Sequence, residues 1–313
     1  MRNLALVSTT LLLAATLTGC AASVDYACEP YSEGDQVKSV NVEGELGAVP
    51  EVSFPSPINP TAGQTRTVIE GEGPTYTGRN YIEFEFAAYN GGTGEVLQET
   101  SFDGSEPLGG FFNAGETPNF CSALAGARTG SRIVTIIPPA EAHEGNGIPE
   151  LGIGANDSLV LVFDIVKVYL AKATGQSQLP QAGFPSVVTT PEGIPGVTMP
   201  KTDAPTELKI AQLIKGEGEV IEEGQKVTLH YSGFLWSDGS KFDSSWDSGR
   251  PVQFDMVEGG LIPGFLNAVI GQPIGSQVIA VIPPDQAYGD QGSGSIPPGS
   301  TLVFVIDILG VSN

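Results

Sequence analysis

The side chains best placed to do chemistry in this chain lie in its C-terminal third, in five short runs. Val-Thr-Leu-His-Tyr-Ser-Gly-Phe-Leu (227–235) carries Tyr231, and Asp-Gly-Ser-Lys-Phe-Asp-Ser-Ser (238–245) carries Phe242 and Asp243. Leu-Ile-Pro-Gly-Phe (261–265), Ile-Pro-Pro-Asp-Gln-Ala-Tyr-Gly (282–289) and Thr-Leu-Val-Phe (301–304) follow. These are aromatic rings, two phenols and one carboxylate, types suited to apolar contact and hydrogen bonding rather than covalent chemistry. No nucleophile or proton shuttle is assembled, and no Cys/His spacing suggests a metal site. Taken singly, each residue also has an ordinary reading. Phe242, Phe265 and Phe304 would be core aromatics, Tyr231 a strand tyrosine with some partner, and Asp243 a turn or helix-cap carboxylate. His230 alternates outward and reads as a solvated strand residue.

In this order and spacing the runs resemble the FKBP-type peptidyl-prolyl isomerases. The resemblance implies a pocket around a prolyl ring, lined by Tyr231, Phe242, Leu261, Ile262, Phe265, Tyr288 and Phe304, with Val252 and Ile296 completing the wall. It implies that the Ile262 N–H and the Tyr288 hydroxyl donate to substrate carbonyls. Asp243 at the rim is expected to orient Tyr231 and to act electrostatically, not as a general base. Ligands implied are proline-containing polypeptides and macrolide FKBP inhibitors, with no cofactor. The pattern departs from the family at several points: Phe265 stands where Trp is usual, Ser248 where Arg is frequent, and Val252 where an aromatic is common. Arg250 is the candidate to pair with Asp243 in place of the missing arginine. The loop from Asp290 to Ser295 is about one residue short of the family pattern, which puts sequence preference beyond proline in doubt. A non-catalytic proline-segment-binding module or chaperone is the competing reading.

The elements that must position these residues are mostly strands. Val227, Leu229 and Tyr231 alternate with Thr228, His230 and Ser232, predicting a half-buried strand with Tyr231 inward. The stretches 277–282 and 301–309 alternate likewise, and Asp238-Gly239 signals a turn. One short helix is predicted, with Pro263 in its first turn and Gly271 past its end. Strands with a helix on one face give an α+β class, in agreement with the half-wrapped antiparallel sheet around one short helix that the resemblance implies.

The chain also matches itself. At a shift of 145, Gly71-Glu72-Gly73 falls on Gly216-Glu217-Gly218, Phe120 on Phe265, and Ile137-Pro138-Pro139 on Ile282-Pro283-Pro284; at 143, Ser158-Leu159-Val160 falls on Thr301-Leu302-Val303. Dispersed matches at one offset mark a duplication. Two tandem FKBP-like domains are therefore expected, at 50–171 and 195–313, with a Gly- and Glu-rich tether at 20–49 and a Gln-, Ser- and Pro-containing linker at 172–194. In the first copy Phe86, Leu97, Gln98, His143 and Leu161 replace Tyr231, Phe242, Asp243, Tyr288 and Phe304. Its core positions stay apolar while the carboxylate and both phenols are gone, so it is expected to fold but to catalyse weakly or not at all.

Charge and cysteines bound the setting. With 14 Lys and Arg against 36 Asp and Glu, and a net charge of −22, the chain cannot neutralise phosphates, which excludes nucleic acid and a polybasic membrane patch. Arg2, the apolar run from Leu4 to Leu17 and small residues before a cut form a secretory leader over residues 1–19. Leu17-Thr18-Gly19-Cys20 resembles a bacterial lipobox, which implies lipidation of Cys20 and an extracytoplasmic, membrane-anchored protein. The alternatives are a soluble secreted protein or an uncleaved anchor helix. If Cys20 carries lipid, Cys28 and Cys121 remain in a compartment that permits disulfides and are expected to pair.

Overall fold

The computed structural model describes residues 27–312. The leader at 1–19 and Cys20 lie outside the described residues. The first half of the chain runs α1 (Asp35–Lys38), β1 (Asn41–Glu43), β2 (Glu51–Ser53), β3 (Gln64–Ile69), β4 (Glu72–Thr75), β5 (Ile82–Asn90), β6 (Val96–Glu99), β7 (Leu108–Gly110), α2 (Phe120–Leu124), β8 (Arg128–Thr129), β9 (Arg132–Ile137), α3 (Pro139–Ala142) and β10 (Leu159–Val168). The second half runs β11 (Gln176–Ser177), β12 (Ser186–Thr189), β13 (Pro195–Thr198), β14 (Lys209–Lys215), β15 (Lys226–Leu235), β16 (Lys241–Ser244), β17 (Val252–Asp255), α4 (Pro263–Val269), β18 (Gln277–Ile282) and β19 (Leu302–Ser312).

The duplication seen in the sequence is a duplication of topology. The first sheet has the order β3-β9-β10-β5-β6 with β7 also on β5, and the second has β14-β18-β19-β15-β16 with β17 also on β15 and the two-residue β11 added on the outer edge of β14. Each is antiparallel, and equivalent residues face each other: Leu161 is opposite Ala88, as Phe304 is opposite Gly233. Each sheet curls around one short helix, so the fold is α+β with two tandem FKBP-like units. In the second unit Pro263 starts α4, and Gly271, at φ +83°, follows its C-cap in the left-handed conformation that glycine adopts without strain. Gly264 brings α4 close to the sheet, since a Cβ there would lie 2.3 Å from Ile282 Cγ2. Phe265, Leu266, Ala268 and Val269 bury the inner face of the helix against Val278, Ala280 and Ile306.

The sheets are not half-buried as alternation alone predicts. Strands β9 and β18 are buried along their whole length. The second cover is a β-hairpin in front of each unit: β1–β2 pairs Val42 with Val52, and β12–β13 pairs Val187 with Val197, at the offset of the repeat. Val42, Val52 and Phe54 pack with Val134, Ile136, Val160 and Val162, and Val187, Val197 and Met199 pack with Ile279, Val281, Val303 and Val305. The repeat thus begins near residue 41 rather than 50, and the segments read as tether and linker contribute to the fold. The buried Arg132 guanidinium pairs with both oxygens of Asp164, from Nε at 2.6 Å and from Nη2 at 2.7 Å. Such a two-pronged ion pair fixes direction as well as charge. The same guanidinium donates to the carbonyls of Gly44, Glu45 and Ala48, which pins the segment behind β1. Ahead of that, Cys28 is joined to Cys121 in α2 by a disulfide.

The second unit holds the chain leading into it by a similar device without the guanidinium. Asp307, equivalent to Asp164, accepts from Ala173 N–H at 2.8 Å and from Gln277 Nε2 at 2.7 Å. Tyr169 lies over Gly310, where any Cβ would meet its ring at 2.4 Å, and donates from its hydroxyl to Glu83 at 2.7 Å, with the Val311 carbonyl 3.1 Å from the same oxygen. Residues 167–175 therefore lie against the second unit. Burial raises the Asp307 carboxyl from 3.8 to about 6, against the two hydrogen bonds that lower it. A carboxyl whose folded pKa is raised lends stability that is present below the unfolded value and is lost as pH climbs through the folded one. The melting temperature of Asp307→Asn minus that of the parent is thus expected to rise between pH 4 and 6 and to level off above; a difference that stays constant across this range would refute the assignment.

Candidate active site

One edge of β15 carries two strands. β16 pairs with Ser232, Gly233 and Phe234, and β17 with Lys226 to Leu229. Tyr231 sits in the gap between them, and residues 245–251 bridge the gap outside it. The Tyr231 hydroxyl donates to Asp243 Oδ2 at 2.5 Å. Burial pushes the Tyr231 phenol well above its ordinary value, and the adjacent Asp243 carboxylate and Tyr288 phenol push in the same direction. The hydroxyl therefore stays a donor.

Beneath this pair the rings close on one another. The Tyr231 ring is 5.9 Å from Phe265, edge-on, and 6.1 Å from Phe304; Phe265 and Phe304 are 5.1 Å apart, and Phe242 lies 5.5 Å from Phe304. Such edge-to-face pairs add about 0.5–1.5 kcal/mol each beyond area burial. Gly233 admits this packing, because a Cβ there would lie 2.4 Å from Phe242 Cζ and 3.0 Å from Phe304 Cε1. Leu261, Ile262 and Ile296 pack against the same cluster, and Tyr288 stands at the edge, 39% exposed. The ring on β17 is one the sequence reading missed. Phe254 is 6.1 Å from Tyr231 and 5.9 Å from Phe265. It lies two positions beyond Val252, on the same face of the strand, whereas Val252 is not among the residues packed on this cluster. The period-two alternation of β17 was the signal that could have found it.

Two further expectations change. His230 is not solvated: it is 1% exposed, stacked on Trp246 at 3.6 Å, with Nδ1 2.8 Å from Ser245 Oγ. The loop at 245–251 folds back over the outer face of β15, which alternation cannot foresee. Arg250 does not pair with Asp243; its Nη2 lies 3.6 Å from Glu116 Oε1, in the first unit.

In the first unit other rings gather at the equivalent place. Phe163 is 5.2 Å from Phe84, 6.4 Å from Phe86 and 6.0 Å from Phe120, and Phe112 closes on Phe84 at 5.8 Å. Ala88 stands where Gly233 stands in the second unit, and Leu97 and Leu161 replace the two rings that Gly233 admits. His143 is buried and committed to its own loop, with Nδ1 accepting from Gly147 N–H and Nε2 2.8 Å from the Asp157 carbonyl.

Comparison with known proteins bears on the second unit. The family description "FKBP-type peptidyl-prolyl cis-trans isomerase" matches residues 217–309. A protein named "FK506-binding protein" from Streptomyces anulatus is 40% identical over 119 residues, 37% of this chain and 96% of that protein. The "Peptidyl-prolyl cis-trans isomerase Fkbp12" of Drosophila melanogaster is 40% identical over 106 residues, 33% of this chain and 97% of its own. Among solved structures, FkpA of Escherichia coli is similar at 33% identity and TM-score 0.32, over 40% of this chain and 51% of that one.

The stacked, desolvated setting of His230 depresses its pKa from 6.5 to about 3. Its imidazole resonances are expected to stay at their neutral positions from pH 8 to pH 5; an NMR titration with a midpoint near 6.5 would contradict the buried placement.

Proposed function

Since this chain belongs to the FKBP-type peptidyl-prolyl cis-trans isomerases, we propose that its activity resides in the second unit, in the bowl beneath Tyr231 and Asp243. The observation that carries this reading is the Tyr231–Asp243 hydrogen bond of 2.5 Å above the packed rings of Phe254, Phe265 and Phe304.

The reaction asks little covalent work of the protein. Rotation about a peptide bond faces a barrier of about 18–20 kcal/mol, and X-Pro isomerisation unaided takes tens to hundreds of seconds. The barrier is amide resonance, which places charge on the carbonyl oxygen in the planar state and removes it in the twisted one. Water favours the more polar planar state. An aromatic bowl withholds that preference, so it binds the twisted state better than the ground state. Phe265 and Phe304 form the floor on which the prolyl ring rests. The Ile262 N–H, at the entry to α4, and the Tyr288 hydroxyl are the donors that hold the flanking carbonyls. Asp243 fixes Tyr231 and interacts with the carbonyl that turns. Phe254 takes the wall position that Val252 leaves short.

The first unit, with Phe86 and Gln98 in place of Tyr231 and Asp243, holds the second unit in place and does not isomerise. The chain is exported and lipid-anchored at Cys20, where it assists folding of exported proteins. The disulfide at Cys28 ties the chain to the first unit eight residues after Cys20. Each residue of that stretch spans at most about 3.3–3.6 Å. The first unit therefore rides close to the lipid surface.

In the full chain, Asp243→Asn is expected to lower kcat/KM on a proline peptide in a protease-coupled assay by about tenfold or more, since hydrogen bonds to charged groups carry about 1.5–3 kcal/mol. Gly233→Ala, which pushes the Phe242 ring out of place, should lower it too, while Gln98→Ala should leave it unchanged. Activity that follows Gln98 instead of Asp243 would move the site to the first unit, and no turnover in the parent would leave the proline-binding reading in its place. Cys20→Ser is expected to shift the protein from the detergent phase to the aqueous phase in cells; partition that ignores the substitution would rule out the anchor.

A further inference from the structure

The ion pair between Arg250 and Glu116 lies between two rims. Arg250 is on the loop that joins β16, which carries Asp243, to β17, which carries Phe254; its N–H donates to Ser248 Oγ at 3.3 Å within that loop. Glu116 is in the first unit at the repeat position that Leu261 occupies in the second, which is the pocket rim. The repeats thus set their rims side by side, and one side chain from each meets at 3.6 Å with both about half exposed.

The first unit also supports the wall behind that rim. The Tyr81 phenol, just ahead of β5, lies beside the Gln253 side chain on β17. Gln253 in turn donates to Thr228 Oγ1 and Ser312 Oγ. It projects from the face of β17 opposite Phe254, so Tyr81 backs the strand that presents Phe254 to the bowl.

On the reading that the second unit is the isomerase, we propose that Glu116 is a specificity-determining residue of its reaction: the first unit forms the second wall of the substrate groove, and Glu116 with Arg250 selects the charge of the residue beside the proline. Glu116 neutralises the one cation of the loop at 245–251, whose other charged residue is Asp247, itself paired with Lys241. With Asp243 close by, the rim is acidic overall. The substrates it fits are extended polypeptides with lysine or arginine next to the proline. The pair is half exposed and 3.6 Å apart. Ion pairs of that kind contribute about 0–1 kcal/mol to stability, so a substrate charge can exchange with this one at little cost to the fold.

The test compares two proline peptides, one with lysine and one with glutamate beside the proline, and a neutral peptide as reference, on the full chain. The parent is expected to prefer the lysine peptide. Glu116→Gln should lower the lysine-to-glutamate ratio of kcat/KM by up to about fivefold, the size of an exposed ion pair. Arg250→Gln should raise it, and both shifts should fade near 1 M salt, where charges are screened within about 3 Å. Melting temperatures of the two variants report whether folding is intact. Ratios that stay at the parental value in both variants, with the neutral peptide still turned over, would overturn the proposal and leave the assignment of the second unit standing. Absence of turnover on the neutral peptide by the parent would remove both.

Discussion

Each sheet of this chain is apolar on both faces, and an antiparallel sheet of that kind must find two covers. A short helix and a bowl of aromatic rings occupy the inner face. A small hairpin, with Val42 and Val52 in one unit and Val187 and Val197 in the other, occupies the outer face. This double burial is what holds the strands rigid enough to keep the rings of the second unit about 5–6 Å apart. A helix as short as α4 could not do so alone, since isolated helices of that length are marginal in water.

The same frame accounts for how the two copies diverged. The strand order separates them only by β11 at the edge of the second sheet; the main difference lies in which side chains fill the inner face. Gly233 leaves room for the Phe242 and Phe304 rings, and Ala88 fills that room and is matched by two leucines. Phe84 and Phe163, buried and edge-on to each other, stand where the second unit has Leu229 and Ile306. The charged pair in its sheet moved the other way: Arg132–Asp164 became Gln277 with a carboxyl whose pKa burial raises to about 6. Both copies commit these polar groups to holding their own chain, and only the second carries the Tyr231–Asp243 pair above its rings.

Much of this could be read from the sequence where the signal was local. The alternation of 227–235, the Pro263 to Gly271 frame of the helix and the offset of 145 all reflect short-range geometry that a chain carries openly. Phe254 was within reach by the same alternation. What could not be read came from long-range contact. His230 reads as solvent-facing until a loop further along the chain lays Trp246 over it. The hairpin strands are three or four residues long, too short for periodicity to show, and gain their meaning only against the sheet they cover. Arg250, two residues beyond the position where the family resemblance implies an arginine beside Asp243, instead meets Glu116 of the other unit.

The claim on which the rest depends is that the bowl of the second unit turns the bond before proline. Exchange NMR on a proline peptide mixed with the full chain tests it most directly, because it reports the interconversion and the contact surface together. Cross-peaks linking the cis and trans proline signals, with amide shifts gathered at Tyr231, Ile262, Phe254 and Tyr288, are the expected result. Peptide signals that never exchange, or shifts gathered at Phe86 and Gln98, would contradict the account.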